Sequence, residues 1–286
     1  MAKFILSGFA DEASPMLDDQ IRVLNSLDMH YIEPRKVDNK VISDYTPQEA
    51  QGIMERLQAG GIAVSAVGSP MGKISITDPF GPHLDDMKRT IEIAQVLKAK
   101  YIRMFSFFIP EDEDPARYQK EVLNRLEQFV KAAQGSGVTL LHENEKHIYG
   151  DIGKRCLEIM EAFKGEMYAT FDPSNYVQCG ENTIECFEML RPYIKYMHFK
   201  DSVYTSQKAV LDKGFDTVSD AHRPVGMGDG NFKYILAELV KMNFEGFCSV
   251  EPHLTKNDQF GKTHEEKFII AATQAKKIIQ EALGER

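Results

Sequence analysis

The chain has 286 residues, 43% of them apolar, with 34 basic against 43 acidic side chains and a formal net charge of -9 at neutral pH. Such a length and apolar share predict a soluble globular protein with a sizeable core. The acidic balance, with no run of lysines or arginines able to track a phosphate backbone, argues against nucleic acid as a partner.

The N-terminal MAKFILSGFADE carries only a short apolar stretch before Asp11 and Glu12, with no small-residue cleavage pattern after it, and so predicts a first strand and not a signal peptide. Short β-rich runs then alternate with helical patterns to the end of the chain. The predicted strands are FILSG (4–8), YIEPR (31–35), IAVSAVG (62–68), YIRMFS (101–106), VTLLHE (138–143), YATFD (168–172), IKYMHF (194–199) and FCSVE (247–251). Helix starts are marked between them. Thr46-Pro47-Gln48-Glu49 reads as a capping box with proline at the first helical position, Asp114-Pro115 opens a helix the same way, and Thr263 with Glu266 repeats the box. Leu84, Met87, Ile91, Ala94 and Leu97 fall on one stripe, as a helix covering a sheet requires.

Eight strand-helix units without a Pro/Gly/Ser-rich linker or a composition break predict an α/β fold, a single (β/α)8 TIM barrel spanning residues 1–286 as one domain. An open doubly wound sheet is the alternative. The longest irregular stretch, 202–230, is polar and glycine-rich and follows the seventh strand; loops of that length are often functional. The cysteines at 156, 179, 186 and 248 show no CxxC spacing and read as free thiols of a reducing compartment. No window approaches the about 18 uninterrupted apolar residues of a membrane span. A cytoplasmic protein without membrane partners is expected.

In such a barrel catalytic groups collect at the C-terminal strand ends, where the βα loops open onto a shared mouth. Strands five to eight end in Glu143, Asp172, His198 and Glu251, so four consecutive strands each deliver a metal-binding side chain. Singly, each has a duller use: a strand-end carboxylate is more often a helix cap or surface ion pair, and a lone histidine a hydrogen-bonded core residue. Three carboxylates and an imidazole meeting at one point, however, require a cation among them. Donors of nitrogen and oxygen without thiolate suit Mn, Mg, Co, Ni or Zn, and do not choose between them.

The series HENE (142–145), FDPSN (171–175), HFKD (198–201), VGMGDG (225–230) and SVEPH (249–253) resembles the xylose isomerase-like TIM barrel superfamily, which includes sugar isomerases, ketose 3-epimerases, inosose dehydratases and apurinic endonucleases. The resemblance places the metal ligands on Glu143, Asp172, His198 and Glu251, the four chosen by the strand ends. For the epimerase branch it implies one divalent ion holding the carbonyl and neighbouring hydroxyl of a ketose, with Glu143 and Glu251 exchanging a proton through an enediolate. It also implies a small carbohydrate substrate and a homo-oligomer in some relatives. The chain departs from the epimerase pattern at Asn175, where a histidine is expected, and at Tyr149, where a glutamate is expected.

The open alternatives are a metal-dependent dehydratase of an inosose or keto-sugar, a sugar-binding barrel without turnover, and an apurinic endonuclease-like hydrolase. Asp220-Ala221-His222 before the glycine turn is similar to part of the third zinc site of that last branch, but SAVGSPMG (65–72), RMFSFF (103–108) and Asn175 lack its further histidines. Asp220 and His222 then either cap the turn or fold over the substrate. Substrate contact is expected of Glu33 and Arg35 as a hydroxyl-binding pair, with an internal salt bridge as the equal alternative, of Asn175, of Lys200, which alternation would turn away from His198 unless the strand end twists it back and which could also transfer a proton, and of Arg223, which is otherwise a surface cation. Lys146 and His147 have a weaker claim, and Phe9, Phe105, Phe107 and Phe108 form either an apolar wall at the mouth or plain core.

Overall fold

A computed structural model describes residues 1–204, 221–254 and 258–284; Asp220 lies outside the described residues. The eight predicted strands all form, as β1 (Lys3–Gly8), β2 (Tyr31–Ile32), β3 in two pieces (Ala63–Val64 and Val67–Gly68), β4 (Tyr101–Met104), β5 (Thr139–Glu143), β6 (Met167–Phe171), β7 (Ile194–Phe199) and β8 (Glu245–Val250). Seven of them pair in the parallel order β1-β8-β7-β6-β5-β4-β3. The first strand lies beside the last, so the sheet curls on itself. β2 fills the remaining gap: it pairs with the first piece of β3, the Glu33 amide donates to the Gly8 carbonyl, and the Gly68 amide donates to the Pro34 carbonyl. The fold is a (β/α)8 barrel.

The regular part of β2 is much shorter than the predicted 31–35. Pro34 has no N–H to give to a ladder, so the strand ends there and its continuation is held by the two single hydrogen bonds just named. This bend leaves Glu33 and Arg35 at the rim.

The helices start where side chains satisfy their first amides. Both predicted capping boxes are complete, at Thr46/Glu49 for the helix Pro47–Ala59 and at Thr263/Glu266 for His264–Leu283. Asp114 caps a 3-10 turn that leads into the helix Gln119–Ala133. The predicted stripe lies on the helix Phe80–Val96, with Met87, Ile91 and Ala94 buried against the sheet. Among the described residues no helix is long and apolar enough to cross a membrane.

Inside the barrel, period-two alternation stacks side chains in layers. The floor is apolar: Ala66, Leu141 and Tyr196 pack together with Tyr101, Tyr168 and Phe247. One layer up is a hydroxyl chain, Ser7 to Ser65 at 2.6 Å and Ser65 to Tyr196 at 2.8 Å. Above it the same alternation in β7 that turns Tyr196 inward also turns in His198 and Lys200. The top layer is therefore charged, and it rests on hydroxyls above an apolar floor.

Candidate metal centre

Glu143 is the last residue of β5, Asp172 follows β6, His198 lies near the end of β7 and Glu251 follows β8. Each offers a donor atom, and these four atoms lie within 4.8 Å of one another. His198 Nδ1 is 3.2 Å from Glu143 Oε1, 3.3 Å from Glu251 Oε2 and 3.8 Å from Asp172 Oδ2. All four side chains are buried.

Asp172 does two jobs: its Oδ1 caps the short helix Pro173–Gln178 by accepting the Asn175 amide at 3.0 Å, which leaves Oδ2 turned inward. Glu143 Oε2, Asp172 Oδ2 and both His198 nitrogens have no hydrogen-bond partner of good geometry. Buried polar atoms left in this state are costly unless something else engages them. Lys200 Nζ approaches Asp172 Oδ2 at 2.7 Å and Glu251 Oε2 at 3.3 Å, a charge contact that engages part of the cluster only.

The charges around the cluster give a second test of whether a cation fits. Asp11, Glu12, Glu33, Glu143, Asp172 and Glu251 are all nearly or fully enclosed, and the permanent cations facing them are Arg35, Arg103 and Lys200. Among the described residues, six carboxylates against three cations leave three positive charges missing. A divalent ion and an imidazolium at His253 would close that gap, with His198 neutral as a ligand must be. The donor set and the charge balance both fit such an ion.

Despite its burial, His198 is raised well above the ordinary imidazole range by Glu143 and Glu33, so the cluster attracts a positive charge onto the ring, which a ligating ion would replace. Burial alone would raise Glu143 and Glu251, but His198 with Arg103, and Lys200 with His253 and His198, respectively hold the two carboxyls below their ordinary range. Asp172 is pushed up by burial against the pull of Lys200. Lys200 itself, which burial would lower, is driven well above the usual amine range by Asp172, Glu251 and Glu143, so it stays an ammonium. His253, despite burial, is raised by Glu12 and Glu251.

Further side chains complete the centre. Arg103, 4% exposed, lies with Nε 3.0 Å from Glu143 Oε2, and its Nη1 donates to the Ser69 carbonyl. Arg35 bridges Asp11, Glu12 and Glu251. His253 Nδ1 is 2.7 Å from Glu12 Oε1, and its Nε2 is 3.5 Å from Glu251 Oε1. The sequence reading passed over Arg103, Asp11, Glu12 and His253 as site residues. An arginine at an inward position of the otherwise apolar YIRMF was the available signal for the first, and the quoted SVEPH contained the last.

The expected substrate contacts divide. Glu33 and Arg35 turn to different partners: Arg35 to the acids just named, and Glu33 to Arg103 Nε at 3.7 Å and His198 Nε2 at 3.4 Å. Asn175 donates through Nδ2 to Glu143 Oε1 at 3.2 Å and to the Asn144 carbonyl at 2.8 Å, so it steadies the Glu143 carboxylate. Arg223 pairs in a two-residue strand with Asp201 and donates to the His222 carbonyl. His222 is buried against Gln178, 2.9 Å away, and meets the His253 ring edge-on. Lys146 bonds to Gln178, and His147 takes a left-handed turn conformation with φ of 68°. Of the phenylalanines, Phe9 and Phe107 are core, and Phe105 borders the mouth.

The mouth is a cavity of about 220 Å³, bordered among others by Arg35, Ser69, Lys73, Phe105, Glu143 and Glu251. Its size is below the roughly 300 to 1,000 Å³ typical of sites for drug-sized ligands, which suits a small metabolite.

A (β/α)8 barrel with an acidic-histidine cluster at its C-terminal rim is thus the class that fold and geometry define. The sequence matches the xylose isomerase-like TIM barrel family over residues 21–277, and the chain belongs to that family. No curated protein sequence matches it. Among solved structures it is similar to the IOLI protein with a bound zinc atom, at TM-score 0.77 and 16% identity over 98% of each chain. It is also similar to a D-tagatose 3-epimerase-like protein, at TM-score 0.74 and 18% identity over 99% of this chain and 97% of that one. A third is the probable 3-DHS dehydratase AsbF from Bacillus anthracis, at TM-score 0.73 and 16% identity over 96% of this chain and 99% of that one. At these identities the likeness establishes the fold.

Proposed function

We propose that the chain is a divalent-metal-dependent enzyme that moves a proton beside the carbonyl of a small ketose or sugar derivative, as an isomerase or epimerase. One observation carries this reading: four buried donors converge at the rim, and two of them, Glu143 and Glu251, also border the mouth cavity. Glu143, Asp172, His198 and Glu251 would hold the ion. When bound, an ion of this kind supplies a Lewis acid that polarises a carbonyl and acidifies the neighbouring C–H.

The two glutamates are the proton carriers, one removing the proton and the other returning it. Both are fixed in orientation, Glu143 by Asn175 and Arg103, and Glu251 by Arg35, which spares the entropy of aligning them at the moment of reaction. The Lys200 ammonium adds a fixed positive charge where negative charge develops on substrate oxygen.

A lyase reading, loss of a β-hydroxyl from an inosose or keto-sugar after the same proton abstraction, is favoured by two positions. Tyr149 and Asn175 replace groups expected of an epimerase, and both are spoken for: the Tyr149 hydroxyl donates to Glu158 at 2.6 Å, and Asn175 holds Glu143. Incubating a panel of ketoses, inososes and keto-acids with Mn²⁺-loaded protein in D₂O separates the readings. Deuterium incorporation without loss of water supports isomerisation or epimerisation, and a product lacking the elements of water supports the lyase. Metal-loaded protein that exchanges no proton with any of them refutes the enzymatic reading in favour of a binding barrel.

A further inference from the structure

His198 is fully buried and its ring reaches carboxylates from both nitrogens. Nδ1 faces Glu143, Glu251 and Asp172. Nε2 faces the opposite way, 3.4 Å from Glu33 Oε2. Phe9 and Tyr196 meet the ring edge-on, with centroids 5.1 and 5.9 Å away, so it cannot turn over without displacing two buried aromatic side chains.

Glu33 has the features of a dedicated partner for that ring. Its backbone amide is tied to Gly8 across the β1–β2 gap. Its side chain is 0% exposed, and neither carboxylate oxygen has a hydrogen-bond partner of good geometry among the described residues, the Tyr196 hydroxyl being a further polar neighbour. Arg103, at 3.7 Å, supplies the countercharge that makes a buried carboxylate tolerable there. Glu33 is not among the residues bordering the mouth cavity, so contact with substrate is a poor account of it.

An imidazole that ligates through Nδ1 must have that nitrogen bare, and its single proton is then on Nε2. Among the described residues, the acid within 4.0 Å of that nitrogen is Glu33. We propose that Glu33 is a positioning residue: its carboxylate accepts the His198 Nε2 proton and thereby fixes the tautomer that leaves Nδ1 for a metal ion. This rests on the four-donor site proposed above. At 3.4 Å the contact is a few tenths of an ångström longer than a formed hydrogen bond, a distance that a small side-chain rotation closes. Carboxylates in this position orient a ligating histidine and increase its basicity.

The test uses full-length protein, Zn²⁺ as the probe, competition with a chromophoric chelator to read affinity, and ¹⁵N-labelled histidine to read the tautomer. In the zinc-loaded wild type His198 is expected to carry its proton on Nε2. Glu33→Gln and Glu33→Ala are expected to fold, by circular dichroism, and to bind zinc roughly 10 to 100 times more weakly. A proton on Nδ1 in the loaded wild type overturns the proposal, as does folded Glu33→Ala with zinc affinity within about twofold of wild type. Should Glu33→Ala fail to fold, Glu33→Asp decides the matter, since the shorter carboxylate keeps the charge and withdraws the acceptor: wild-type affinity there overturns the proposal. The underlying site fails separately, and takes this role of Glu33 with it, if wild type does not bind zinc or if Asp172→Asn binds it equally well.

Discussion

Replacing Lys200 with methionine tests the charge logic of the centre most directly. Its ammonium is 3% exposed, 2.7 Å from Asp172 Oδ2 and 3.3 Å from Glu251 Oε2. With an effective dielectric of about 20, those contacts are worth about 6 and about 5 kcal/mol in gross attraction. Much of this offsets the cost of burying the ammonium, and breaking a buried pair by removing one partner typically costs about 3 to 5 kcal/mol. In chelator-treated protein Lys200→Met should therefore lower Tm by roughly 5 to 8 °C for a chain of this size. The oxygens exposed by the change are the ones a divalent ion would use, so saturating Mn²⁺ should raise the Tm of the variant by more than it raises that of wild type. Thermal melts followed by circular dichroism, with chelator and with Mn²⁺, measure all four values. A chelated variant melting within about 2 °C of wild type, or an equal metal-induced rise in both proteins, would refute the reasoning.

Asp201 accepts the amides of Ser202, Gly226, Gly228 and Gly230, each at 2.9 Å, two on each oxygen. Burial raises its carboxyl to about 6 against these donors, so it is ionised at pH 7.5. Asp201→Asn would turn an N–H₂ toward two amides and cost about 2 to 6 kcal/mol, read as a lower urea midpoint and faster amide exchange in the glycine turn. His83 Nε2 accepts the Gly72 amide at 2.8 Å, and burial lowers its pKa below 6.5. The unfolded chain therefore takes up this proton first: the stability contribution is complete above pH 6.5 and declines as pH falls toward the folded value, by at most about 1.4 kcal/mol per pH unit. The difference in urea midpoint between pH 7.5 and 5.5 should shrink in His83→Gln. Gly72 itself has φ of 86°, and a Cβ there would meet the Phe105 carbonyl, so Gly72→Ala should cost more than the usual roughly 1 kcal/mol of a point mutation, measured by the same midpoint.

Much of the fold was legible because it is written locally. Alternating and 3.6-period patterns marked the strands and helices, and Thr46/Glu49 and Thr263/Glu266 marked two helix starts within a few residues. The four donors were legible for a related reason, since each ends or follows a strand whose direction the fold fixes. What surrounds them was not. Arg35 meets Glu251 across 216 positions of sequence, and His253 meets Glu12 across 241; such pairs are made by barrel closure and leave no periodic trace. Strand two misled for a definite reason: YIEPR looks continuous, but Pro34 breaks the ladder, and the resulting bend sends Glu33 and Arg35 to different partners. Lys200 was misplaced by a misapplied alternation: it stands two positions after His198, on the same face, and reaches Asp172 and Glu251 beside that ring.

The origin of the charges along the chain has one more consequence. All four donors come from positions 143 to 251, whereas Arg35 and Arg103, and Glu33 behind the histidine ring, come from the first 103 residues. During synthesis Arg35 and Arg103 leave the ribosome before Glu251 and Glu143, the acids they meet in the closed barrel. Neither fragment of a chain cut between β4 and β5 would hold both the four donors and the arginines that face them, which ties the birth of the centre to the last closure of the barrel.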